Sequence, residues 1–144
     1  MALSNPVLTH AGAGRSVTYG GGSKSELKIV GEQSGGDWAV IEQHVHAGDE
    51  PPMHTHTRED ETIYVLEGAI VVYVGDERFE VEAGSYAALP NKVRHGFSVH
   101  GDEAHLLLTL APAGIEYFVV PRNESDEDPD KYGVVLEERV PAVA

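Results

Sequence analysis

The chain has 144 residues, eight histidines, no cysteine and a formal net charge of −14, from 24 Asp+Glu against 10 Lys+Arg. That length suits a single hydrophobic core, and without cysteine neither disulfides nor thiolate ligands are available, so any metal must be held by His, Asp or Glu. So acidic a surface repels phosphate backbones and argues against nucleic-acid partners, while no apolar run reaches membrane-spanning length.

The expected elements, in chain order, are short β-strands separated by turn signals. Ser16 to Tyr19 ends in Gly20-Gly21-Gly22, and Glu26 to Val30 ends in a loop with Gly35-Gly36. Strands are then predicted over Trp38 to His46, Glu61 to Leu66 and Ala69 to Val74, with a hairpin at Gly75-Asp76-Glu77. Arg78 to Val81, Ser85 to Leu89, Gly96 to Val99, His105 to Leu110 and Ile115 to Val120 follow. No segment before residue 120 carries a helical period. Many short strands at regular spacing predict an all-β sandwich or barrel. Asn123 to Asp130 is the one real shift in composition, expected to be a solvated acidic loop or a short capped helix. Gly133 to Ala144 can add an edge strand, cross to a partner subunit or fray. Met1-Ala2-Leu3-Ser4-Asn5-Pro6 has neither the basic nor the apolar region of a signal peptide, so a cytoplasmic protein is expected.

The chemistry concentrates between Gly48 and Gly68. His54 and His56 are two apart, so on a strand both imidazoles point to one side. Glu61, five residues on and past a short polar turn, can reach the same volume from the next strand. Two imidazoles and a carboxylate converging from neighbouring strands make a site for a divalent metal, which a third histidine would complete. His95 is the candidate: Gly84 closes a hairpin, Ser85 to Leu89 form a strand, and a turn beginning at Pro90 delivers His95 to the next strand.

These two stretches resemble the two motifs of the cupin family. Gly48, His54, His56, Glu61 and Gly68 occupy every fixed position of the first, G-x5-H-x-H-x4-E-x6-G. Gly84, Pro90 and His95 match the second, G-x5-P-x-G-x2-H-x3-N, where Lys92 replaces its glycine and Val99 its asparagine. The resemblance implies an all-β, double-stranded jelly-roll β-barrel with one metal near its mouth, held by His54, His56, Glu61 and His95. It covers about residues 38–111 of one domain spanning 1–144, with N-terminal strands over 15–37 and a C-terminal extension over 112–144. Lys92 questions the turn, because glycine adopts positive φ readily and lysine does not. Its ammonium either sits at the pocket mouth or, as read here, points to solvent.

Three imidazoles and one carboxylate leave one or two open positions, which suits one divalent Fe, Mn, Ni, Co or Cu ion. Zinc fits less well, because four protein ligands fill its tetrahedron. Glu61 is either a permanent ligand or, released, a catalytic base beside the substrate. Phe97, two residues past His95, and Ile63, two past Glu61, are candidate pocket residues by alternation. Trp38 and His44 share a strand face with Val40 and Glu42; turned inward they line the pocket, turned outward they are solvated. His100 and His105 flank a polar turn and are expected to be exposed, and His10 lies in an N-terminal tail. Pro112 to Phe118 looks like the P-x-G-x-E-x-F stretch trailing the barrel in quercetin-dioxygenase-like cupins, and it is apolar enough to cover the barrel end. The resemblance therefore implies a small phenolic or enolic substrate and an oxygenase. A polyketide-type cyclase or isomerase and a non-enzymatic metal- or ligand-binding shell are the alternatives. A homodimer is expected by analogy and because exposed strand edges favour cover.

Overall fold

In the computed structural model, residues 3–143 are described. The strands are β1 (Ser16–Tyr19), β2 (Ser23–Ile29), β3 (Ala39–His46), β4 (His54–His56), β5 (Asp60–Val74), β6 (Glu77–Glu82), β7 (Tyr86–Leu89), β8 (His95–Ala111) and β9 (Val134–Leu136). Single helical turns α1 (Gly31–Ser34) and α2 (Glu116–Val119) interrupt them.

Two long strands organise this sheet. The first half of β5 pairs with the end of β8, Glu61 opposite Leu110 and Val65 opposite Leu106; its second half pairs with the start of β8, Ile70 opposite Val99 and Val74 opposite His95. Between these halves the register shifts around Glu67. Gly68 sits there at φ 79°, and a Cβ on it would lie 2.6 Å from the Glu103 carbonyl oxygen. Only a residue without a side chain lets the two strands cross so closely. One layer is thus β1-β2-β3, the end of β8, the start of β5, and β7; the other is β9-β4, the start of β8, the end of β5, and β6. Leu27, Ile41, Ile63, Val65, Ile70, Val72, Val99 and Leu106 fill the space between them. Each such side chain taken fully from water stabilises the barrel by about 1.5–3 kcal/mol.

Several sequence expectations change. The pairs predicted over 61–66 with 69–74, and 96–99 with 105–110, are each one continuous strand, because Gly68 and Gly101 bend the chain without ending its pairing. Ile115 to Val120 is not a strand but contains α2, since Glu116 is fully buried and accepts backbone N–H bonds from Gly114 (2.5 Å) and Gly31 (2.7 Å). Asn123–Asp130 contributes to two 3-10 turns, capped by Asn123 and Asp128. Asp126 within it is not solvated: it is fully buried against Arg122, Lys131 and Tyr132. Of the readings open for the C-terminus, the edge strand is realised, with β9 pairing β4. Beyond it, Glu137 and Glu138 bond the backbone of Met53, and Ser98 bonds the Pro141 carbonyl, so the tail covers the outside of β8. No helix of the described residues is long and apolar enough to cross a membrane.

Candidate metal centre

Strand pairing brings the four residues together. His54 and His56 are the two inward positions of β4, His54 lies directly opposite His95 on β8, and Glu61 opens β5. All four are at least nine-tenths buried. One ligand atom of each lies within 4.8 Å of all the others. His54 Nε2 is 3.2 Å from His56 Nε2, His56 Nε2 is 3.1 Å from Glu61 Oε1, and His95 Nε2 is 3.8 Å from the same oxygen. Donors about 2.1 Å from one ion lie about 3 Å apart at right angles and about 4.2 Å apart when opposed, so these spacings suit a shared ion.

The tautomers agree. A carbonyl only accepts, so the contacts of His54 Nδ1 with Pro52 O (2.7 Å) and His95 Nδ1 with Val93 O (3.1 Å) place the proton on Nδ1 and leave each Nε2 lone pair facing the cluster. His95 Nε2 is buried with no hydrogen-bond partner. Such an orphan is explained by a group that belongs there. Burial, reinforced by the His95 charge, pushes His54 down to about 4, so it is a neutral ligand at neutral pH. Burial alone would raise Glu61, but the hydrogen bond from His56 and the facing His95 imidazole outweigh it and hold the carboxyl well below the usual carboxylate range. The same Glu61 contact outweighs burial at His95 and raises it. The residues present therefore fit a divalent transition metal.

Lys92, the departure from the second motif, takes φ 65° and keeps the turn that glycine would make. It is exposed and does not line the cavity.

The cluster lies in the wall of a cavity of about 400 Å³. Ile63 and Phe97 line it as expected, with Leu89, Leu108 and Leu110. Trp38 and His44 do not: β3 turns Ala39, Ile41, Gln43 and Val45 inward, which leaves them on the outer face. There His44 stacks on His105, 3.8 Å between ring centres, and His105 Nε2–H donates to Glu42 at 2.6 Å. His105 is accordingly half-buried rather than exposed, while His100 is exposed. Lys28 already faces the Glu42 carboxylate at 3.4 Å.

Sequence reasoning missed Tyr19, Ser25 and Gln43, which line the cavity, and it gave Pro112–Phe118 a covering role that extends further, since Ile115 and Phe118, with Val119, line the cavity too. It also missed Glu59. This carboxylate is 3% exposed, its Oε1 has no partner, and it lies 3.8 Å from His56 Nδ1, which has none either. The signal for Gln43 was its place between Ile41 and Val45 on one strand face.

A jelly-roll barrel with three histidines and a glutamate converging on its cavity defines a class of small metal-site β-barrel proteins. Residues 41–111 match the protein family described as "Cupin domain". That stretch holds all four donors, and the fold around it is the cupin jelly-roll. Solved structures similar to it include an RmlC-like cupin from Shewanella frigidimarina, 22% identical over 78% of this chain and 96% of that one, with a TM-score of 0.66. KdgF from Halomonas sp. is 18% identical over 70% of this chain and 90% of that one, with a TM-score of 0.61. The nucleoside dehydratase Pac13, from Streptomyces, is 19% identical over 96% of this chain and 95% of that one, with a TM-score of 0.64. No curated protein matches the chain.

Proposed function

We propose that the protein is a metal-dependent cupin enzyme acting on a small phenolic or enolic molecule, with oxygenase chemistry of the quercetin-dioxygenase kind as its leading form. The observation that carries this reading is the convergence of four buried donor atoms, one without any partner, on the wall of an apolar cavity. Fold alone supplies no reaction, because one barrel hosts many. A divalent transition metal held by His54, His56, Glu61 and His95 supplies Lewis acidity and, if redox-active, a path for electrons to dioxygen.

The chain's own residues do the rest. Phe97, Ile63, Leu108 and Leu110 hold an apolar ring beside the cluster and exclude water. As a ligand Glu61 would be a poor base, because the bound cation would draw on its charge. Released from the ion, it would be free to take a substrate proton. Oxygen uptake by protein loaded in turn with Fe, Mn, Ni, Co and Cu, across a panel of flavonols and simpler enols, tests the oxygenase form. Turnover that persists under strict anaerobiosis points instead to cyclase or isomerase chemistry at the same site. Metal or ligand binding with no turnover under either condition points to a binding shell.

A further inference from the structure

One wall of the cavity carries hydrogen-bonding groups that the metal cluster does not use. Ser25 on β2 and Gln43 on β3 are direct cross-strand partners. They are 1% and 7% exposed, and they line the cavity among strand positions otherwise held by Leu27, Ile41 and Val45. Gln43 Nε2 donates to Ser25 Oγ at 3.0 Å, and Tyr19 lines the cavity with them. A buried amide on an apolar wall is costly unless its polar atoms are matched. The bond to Ser25 uses one amide hydrogen; the second N–H and the carbonyl oxygen remain for a guest.

The charges of the lining are one-sided. Among the described residues neither Lys nor Arg lines the cavity, whereas Asp49 and Glu50 do. Both carboxylates already hold the barrel: Asp49 accepts from Gly21 N (2.8 Å) and Ser23 Oγ (2.6 Å), and Glu50 from Gly48 N (2.7 Å) and Val99 N (2.8 Å). Away from the His54/His56/Glu61/His95 cluster, a carboxylate or phosphate on the guest would meet their charge with no lining Lys or Arg to offset it.

We infer that the cavity selects an uncharged hydroxylated ring system, and that Gln43 and Ser25 are specificity residues binding a second hydroxyl or carbonyl of the guest. The inference deepens the function proposed above and rests on it for the placement of the guest's first oxygen toward the metal cluster. It does not rest on it for binding.

Equilibrium dialysis of metal-free and metal-loaded protein against 2-naphthol, naphthalene-2,7-diol and 7-hydroxy-2-naphthoate tests it. The diol is expected to bind about tenfold tighter than the naphthol, as one added hydrogen bond in a buried site allows. To the metal-free protein the naphthoate is expected to bind at least about tenfold weaker than the diol. Gln43→Leu, which keeps the wall apolar, abolishes the diol's advantage and leaves the naphthol within about threefold. If that variant does not fold, as judged by its melting curve, Ser25→Ala carries the same comparison. An unchanged diol advantage in a folded variant overturns the inference, as does a naphthoate that binds the metal-free protein tightest or no binding of any probe at millimolar concentration. A Gln43-dependent diol preference beside naphthol binding that is equally tight with and without metal sinks the metal reading and leaves this inference standing.

Discussion

The backbone N–H of Lys92 donates to the carbonyl oxygen of His56 at 2.7 Å. That bond ties the turn before His95 to the strand that carries two of the other donors. It also explains why losing the motif glycine leaves the site intact: the lysine accepts a left-handed conformation at φ 65°, and the bond helps to hold it there. A left-handed lysine costs about 1–2 kcal/mol, partly offset by the greater freedom glycine would have in the unfolded chain. Lys92→Gly should therefore raise stability by roughly 0.5–1 kcal/mol with metal affinity unchanged. Denaturant titration alongside metal titration checks this, and a destabilised variant would contradict it.

His56 and Glu59 make the second prediction. His54 and His95 fix their Nδ1 protons on backbone carbonyls, but His56 Nδ1 faces only the Glu59 carboxylate, 3.8 Å away. With its proton on Nε2, His56 donates to Glu61 Oε1 at 3.1 Å. Metal binding needs that nitrogen's lone pair, which moves the imidazole proton to Nδ1 and gives Glu59 a donor to accept from. Glu59→Ala should weaken metal affinity by about 10- to 100-fold with a near-native circular dichroism spectrum. Affinity equal to the unmodified protein would remove Glu59 from the site.

Asp126 concerns stability rather than the site. Arg122, Lys131 and Tyr132 all donate to it and hold its carboxyl well below the usual carboxylate range. A group depressed on folding stabilises fully above its unfolded pKa, about 3.9, and loses that contribution as pH falls through its folded value. Asp126→Asn should lower Tm by several degrees at pH 7. The gap between the two proteins should narrow only below about pH 4. Melting curves from pH 7 to pH 2 test both parts, and a gap that closes above pH 5 would contradict the assignment.

Gly68 gives a fourth test. Because a Cβ there meets the Glu103 carbonyl oxygen at 2.6 Å and φ is 79°, Gly68→Ala should destabilise by more than about 1 kcal/mol. A neutral variant in denaturant unfolding would mean that the strand crossing is looser than drawn.

The candidate metal cluster was legible in the sequence because much of its information is local: the i, i+2 spacing of His54 and His56 fixes a common face, and framing glycines mark the bends. The pocket was less so. Alternation along β3 says that Trp38, Val40, Glu42 and His44 share a face, but not which face turns inward. The inward set contains Gln43, whose polarity hid the apolar pattern of Ala39, Ile41 and Val45. The continuity of β5 and β8 was hidden for a related reason, since Gly68 and Gly101 read as turns and serve as bends. Nor could spacing reveal α2, which depends on Glu116 reaching the N–H of Gly31, 85 residues away.

The most direct measurement of the central claim is the metal content of the purified protein and of a His54→Ala/His56→Ala double variant, by elemental mass spectrometry after loading and dialysis. The expected result is close to one equivalent of a transition metal per chain, lost in a double variant that still folds. No retained metal in the unmodified protein after loading with Fe, Mn, Ni, Co and Cu in turn, or equal retention by the double variant, would contradict it.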